Sequence, residues 1–277
     1  MQLNRILRSF VISTIFLVPF IPLIVTKSLF FPFITGKSFV FRILVELAFA
    51  GWIALAIRAP QYRPRASWFT WLFLIFLGII GVANFFGPNP YLSFWSNFER
   101  MEGYITLLHL FAYFLVAGVV LSAEKLWMRF FQTSIAISII ISYHSILQFA
   151  GALSITQSAN RVEATLGNAS YLATYILVHA FLTLFLFVRE HQSRWMQYFY
   201  GFVFFLQMLT LYATATRGAF LGAIIGFLVF GLLVIFKGRD APFLRKAALF
   251  AISGLSIFVL LLFVFKNSDF VRSSTPL

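Results

Sequence analysis

The sequence contains no cysteine, which excludes disulfides, thiolate metal sites and cysteine nucleophiles. Charge is scarce: charged residues are 10% of the 277, and Asp plus Glu number 8 against 21 Lys plus Arg. No glycine-rich loop of Walker spacing is present, so ATP-driven chemistry has no support. Neither an internal repeat nor a low-complexity tract occurs. His109, His144 and His179 lie on separate apolar segments with no His-x-x-x-His pair. Structural histidines bonded between helices are expected there, with no metal and no cofactor.

What the chain has in abundance is apolar surface. Hydrophobic residues make up 61% of it and Phe alone occurs 38 times, too much for a surface facing water. About 20 apolar residues carry a helix across the hydrocarbon core. Such runs recur at roughly 10–26, 38–57, 67–86, 103–122, 130–150, 169–188, 196–213, 218–236 and 247–265. The runs are continuous rather than alternating, which argues for helices and against a barrel. The expected fold is an all-α polytopic membrane protein of about nine transmembrane helices, a single domain over 1–277. Arg42 and Glu46, four apart in the second run, are expected to neutralise each other on one helix face.

The net charge of +13 is explained by topology rather than by nucleic acid, because no basic tract with interleaved aromatics lies outside the runs. Alternate connections hold Arg5, Arg8, Arg58, Arg63, Arg65, Lys125, Arg129, Arg189, Arg194, Lys237, Arg239, Arg245 and Lys246, 13 of the 21 basic residues, whereas the others receive Lys27, Lys37, Arg100, Arg161, Arg217, Lys266 and Arg272, and Arg42 lies within the second run. The positive-inside rule then puts the N-terminus in the cytoplasm and the C-terminus outside. The first run follows Arg5 and Arg8 and lacks a small-residue cleavage site, so it reads as an uncleaved anchor.

Three outer connections hold unusual residues. The first, Asn84 to Gly103, contains Gly87-Pro88-Asn89-Pro90 and ends in Glu99, Arg100 and Glu102; its prolines forbid a continuous helix. Phe94, Trp95 and Phe98 form either an interfacial aromatic belt or a platform for sugar or lipid. Arg100 is either a ligand contact or a partner of Glu99 or Glu102. The second, Asn160 to Ala173, offers Gly167-Asn168 as a turn and cap ahead of a helix whose free N–H groups would face outward near Arg161. Arg161 either binds an anion there or pairs with Glu163. The third, Thr214-Ala-Thr-Arg-Gly218, sets Arg217 between two apolar runs with no acidic residue nearby. A snorkelling anchor and a bidentate phosphate ligand are its two readings. A tight turn is expected at Ala215 to Gly218, the alternative being one long kinked helix.

In order and spacing these motifs resemble the O-antigen ligase and O-antigen polymerase superfamily over about residues 84–219. The resemblance rests on Gly-Pro-Asn-Pro leading to Glu99-Arg100-Met101-Glu102-Gly103, on Arg161 to Asn168, and on Thr214-Ala-Thr-Arg-Gly218. The family more usually has Ser where this chain has Thr216. The resemblance implies a metal-independent, inverting glycosyltransferase at the outer face of the bacterial inner membrane. Its donor is an undecaprenyl-diphosphate-linked glycan, and its acceptor a glycan, a lipid A core or a protein hydroxyl. Arg161 and Arg217 take diphosphate-binding roles and Arg100 a less defined one.

The family's large outer loop, with a histidine and a further arginine for catalysis, comes at about the point where this sequence ends. These 277 residues are therefore expected to be an N-terminal part, truncated at the start of that loop, holding donor but nearly inactive alone. The competing classes are a transporter or lipid/polysaccharide flippase, which would set ionisable groups near the midplane, and a non-catalytic subunit, which would leave the outer arginines without a ligand.

Overall fold

The computed structural model describes residues 2–64, 67–97, 100–158, 160–189 and 193–237, with short pieces at 245–246, 249–250 and 252–254. Nine helices are ordered along the longer segments: α1 (Gln2–Leu17), α2 (Thr35–Arg58), α3 (Trp68–Phe85), α4 (Pro90–Trp95), α5 (Tyr104–Val120), α6 (Glu124–Phe149), α7 (Ala169–Arg189), α8 (Arg194–Ala213) and α9 (Arg217–Lys237). The expected ninth run, 247–265, lies almost wholly outside the described residues. The chain divides into two compact units, Met1–Thr216 and Arg217–Leu277.

Helix ends fall where local chemistry requires them. Ser67, Asn89 and Ser193 cap α3, α4 and α8 by accepting from the backbone N–H of Thr70, Leu92 and Met196. Pro19 and Pro22 close α1 into a 3-10 turn, Val18–Leu23, because neither can donate to a continuing helix. Pro88 ends continuity after α3 as expected, but Pro90 then opens the short α4 at its first turn, where its missing N–H costs nothing.

Among the described residues, six helices are long and apolar enough to cross a membrane: Gln2–Leu23, Thr35–Arg58, Trp68–Phe85, Glu124–Phe149, Ala169–Arg189 and Arg217–Phe236. The runs expected at 103–122 and 196–213 are helical too, but α5 has only 17 residues, and α8 carries Arg194, Gln197 and Gln207. Only 6% of the most apolar window of α3 is buried, and Trp68 and Phe69 stand 83% and 76% exposed. A surface of this kind is stable against lipid and not against water. The chain is thus a helical membrane protein.

Within the first unit, α1, α2 and α5 pack through Val11, Ile15, Ala48, Trp52, Val116 and Val120, while α6, α7 and α8 pack through Ile135, Leu186, Tyr200 and Val203. Lipid offers no hydrophobic incentive for helices to associate, so polar bonds and close packing carry specificity. Polar bonds between α6, α7 and α8 supply them: Ser134 bonds His179 Nε2 at 2.8 Å, buried Gln207 donates to Ser138 Oγ at 2.9 Å, and Gln132 donates to Tyr200 at 3.2 Å.

Arg42 and Glu46 stay within electrostatic reach of each other, as their spacing predicts, but each takes its hydrogen bonds from farther along the chain. Arg42 Nη2 donates to the Met101 carbonyl and to Thr106 Oγ1, and Glu46 bonds His109 Nε2 at 3.1 Å. Spacing along one helix could not reveal that α5 offers both residues a better partner.

Candidate functional site

At one end of the first unit, α2, the connection between α6 and α7, and the end of α8 meet. Gln148, in the last turn of α6, organises the connection. Its Oε1 accepts from the backbone N–H of Glu163 and Ala164 at 3.1 and 2.8 Å, and its Nε2 donates to the Ser154 carbonyl at 3.0 Å. Glu163 is fully buried and turns back on its own loop, accepting from the amides of Thr156 and Gln157 at 2.6 and 3.0 Å. Burial alone pushes its carboxyl up, but the hydroxyl and amide of Thr156, the Gln157 amide and the Ser158 hydroxyl together hold it below the usual carboxylate range.

With Glu163 so occupied, Arg161 is free of it. The sequence left open whether these two residues pair, and they do not. Arg161 Nε donates to the Thr214 carbonyl at 2.9 Å and its Nη2 to Thr216 Oγ1 at 2.6 Å. The second and third motifs are therefore joined by one half-buried arginine, whose remaining N–H groups take no part in these two bonds. Two alanines in left-handed backbone, Ala164 at φ 48° and Ala215 at φ 49°, lie in the two segments that meet here. A non-glycine residue in that conformation costs about 1–2 kcal/mol, held by the surrounding bonds. Residues 214–216 are non-helical and lie between α8 and α9.

Asn168 caps α7 as expected, its Oδ1 accepting from the Ser170 amide at 2.8 Å. Gly167, at φ +66°, is pressed against Phe33, whose Cγ would stand 2.4 Å from an added Cβ. Lys37 Nζ donates to the carbonyls of Phe33 and Thr165. Lys37 and Gln148 are thus part of the site's frame, although the sequence offered no signal beyond a lysine near the start of a span and a glutamine at the end of one.

Arg100 and Arg217 stand differently. The backbone N–H of Arg100 donates to Asn97 Oδ1 at 2.9 Å; among the described residues no side-chain bond joins Arg100 to Arg161 or to the 160–168 segment. Its suggested partner Glu99 lies outside the described residues, as does Phe98. Arg217 is the first residue of α9 and is exposed.

Two cavities lie at this end. One of about 370 Å³ is lined by Phe39, Arg42, Tyr91, Trp95, Ser96, Asn97 and Met101, a guanidinium among aromatic rings. The other, about 220 Å³, is lined by Lys27, Phe33, His144, Gln148, Thr156 and Thr165 among others. Arg161 lines neither. Compared with family models, curated proteins and solved structures, the chain matches none.

Proposed function

We propose that the protein binds a polyprenyl-diphosphate-linked glycan and serves glycan transfer from it, ligation or polymerisation, at the outer face of a bacterial inner membrane. In this reading the chain crosses the bilayer about nine times from a cytoplasmic N-terminus. The observation that carries the reading is the Arg161 guanidinium, fixed by Thr214 and Thr216 between the second and third motifs. An arginine already oriented by two neutral acceptors keeps its positive charge and its unused N–H fork for an anion. The lipid diphosphate is the leaving group when an acceptor hydroxyl attacks the anomeric carbon: the new C–O bond forms with inversion as the bond to the diphosphate breaks. Arg161 stabilises the charge that develops there. The sequence resemblance gives Arg217 the same role. The cleft with Tyr91, Trp95 and Arg42 suits the sugar portion, since pyranose C–H faces pack on aromatic rings.

The test is retention of undecaprenyl diphosphate by the protein in nanodiscs. Losing a charge-assisted hydrogen bond weakens binding by about 1.5–3 kcal/mol, or roughly tenfold to a hundredfold. Arg161→Ala should lose this much and Arg161→Lys should recover part of it. A folded Arg161→Ala protein with unchanged affinity overturns the reading.

One observation favours the other class, a transporter or flippase: Ser138, Ser142, His179, Thr183 and Gln207 are buried within α6, α7 and α8. The titratable member, His179, is bonded to the Ser134 hydroxyl and the Tyr175 carbonyl, which suits interhelical bonding better than an ion path. Movement of a labelled lipid diphosphate across proteoliposomes, abolished by Gln207→Leu, would support the transporter instead.

A further inference from the structure

The widest cavity among the three described lies at the opposite end of the first unit from Arg161. That end is defined by the start of α1, where Asn4 Oδ1 accepts from Arg58 at the end of α2, and by Glu124 at the start of α6, paired with Arg189 at the end of α7. The cavity has a volume of about 480 Å³, and Arg8, Arg63, Ser67, Thr70 and Ser122 are among its lining residues, the Ser67 and Thr70 hydroxyls bonding each other at 2.8 Å. No Asp or Glu is among its lining residues. Two guanidinium groups facing one cavity without a carboxylate repel each other unless an anion lies between them.

The arginines are not spent on other partners. Arg63 uses its Nε on the Ala56 carbonyl at 3.3 Å, which leaves its terminal nitrogens, and among the described residues no hydrogen bond engages the Arg8 side chain. The segment carrying Arg63 is anchored, because Trp52 Nε1 donates to the Tyr62 carbonyl at 2.9 Å. The remaining wall is apolar: Phe114, Leu115, Gly118 and Val119 of α5. An added Cβ at Gly118, which is exposed, would meet nothing within 4 Å, so the α5 wall is open beside that glycine. A charged mouth with two arginines beside an open apolar helix face matches an amphiphile with an anionic phosphate head. Basic pockets between transmembrane helices hold such head groups.

We infer that this cleft is a binding site for an anionic phospholipid, with the phosphate between Arg8 and Arg63 and one acyl chain along the open α5 face beside Gly118, which serves as its trough. The site is distinct from the Arg161 end and does not depend on the function proposed for it.

Native mass spectrometry of the full chain released from nanodiscs tests the inference. Phosphatidylglycerol and phosphatidylcholine of identical acyl chains compete, and the lipid retained is counted. The wild type should retain phosphatidylglycerol about tenfold better, as two charge-assisted contacts allow. The double variant Arg8→Gln, Arg63→Gln should remove that preference, whereas Lys125→Gln with Arg129→Gln, equal in charge lost but outside the cleft, should keep it. Gly118→Leu retains both arginines and should lower retention of either lipid by filling the trough. Equal retention of the two lipids by the wild type overturns the inference without any variant, so a variant that fails to fold does not shelter it. Loss of preference in the Lys125, Arg129 control shows general charge attraction and also overturns it. Displacement of phosphatidylglycerol by millimolar inorganic phosphate identifies a free-phosphate site and overturns the lipid assignment; no displacement is expected.

Discussion

Arg161 and Thr216, 55 residues apart in sequence, meet at 2.6 Å, the arginine donating to the threonine hydroxyl. The hydroxyl is the feature that Thr216 shares with the serine more usual in the family the sequence resembles, so hydroxyl character should matter more than the methyl. Thr216→Ser is expected to keep lipid-diphosphate affinity and melting temperature close to wild type. Thr216→Val keeps the shape but removes the acceptor, and should lose about 1 kcal/mol of stability, with affinity falling in parallel as the guanidinium loses its second anchor. Equal behaviour of the two variants would show that this bond orients nothing.

Glu163 should make the loop's stability depend on pH in one direction. Its carboxyl is held below the usual carboxylate range in the folded protein, so the ionised form is the one the fold favours. Its contribution is complete above the unfolded pKa, about 4.5, and is lost as pH falls further, through the folded pKa. Glu163→Gln should therefore unfold at a lower temperature than wild type near neutral pH, by about 1–3 kcal/mol, and the gap should close as the wild type is acidified below about pH 4.5. Amide exchange at Thr156 and Gln157, whose N–H groups Glu163 accepts, reports the same loss locally. A difference that does not change with pH would assign the effect to packing.

At Gly167 conformation and space act together. Ala there would need φ +66° and would put its Cβ 2.4 Å from Phe33 Cγ, so Gly167→Ala should destabilise by about 2–3 kcal/mol. Because Phe33 Cβ itself stands 2.6 Å from the added Cβ, only Phe33→Gly in the same chain removes the clash while leaving the backbone cost, so that double variant should be more stable than the sum of the two single effects. Strict additivity in thermal unfolding would show that the two residues are not in contact.

The helices were legible in the sequence because lipid demands long apolar runs, and eight of the nine expected runs carry a helix in the described residues. The short α4 was not foreseen, because a proline pair reads as a break while Pro90 at a helix's first turn is also an allowed start. The site was legible only in pieces. Arg161 and the Thr214–Thr216 segment stood out separately, but nothing local tells that one bonds the other. Glu163 looked like the neighbouring partner of Arg161, yet three successive residues, Thr156 to Ser158, satisfy its carboxylate better. Arg42 was assigned to Glu46 by helical spacing, whereas its hydrogen-bond partners come from a segment about 60 residues later. Partner choice across helices depends on packing, which periodicity does not encode.

The orientation proposed from the basic residues can be tested directly because the chain has no cysteine of its own. Single cysteines at Asn160 and Lys125 sample the two ends of the first unit: Asn160 adjoins Arg161 in the connection between α6 and α7, and Lys125 lies in the first turn of α6. Because α6 runs from one end to the other, the two positions should report opposite sides of the membrane. A membrane-impermeant maleimide is expected to label Asn160→Cys in intact spheroplasts and Lys125→Cys only after permeabilisation, as the excess of Lys and Arg on the Lys125 side requires. Labelling in the reverse order would put Arg161 in the cytoplasm, where the proposed outer-face transfer cannot occur, and would leave the phospholipid cleft intact but in the opposite leaflet. Labelling of both positions from one side would contradict the helix direction itself.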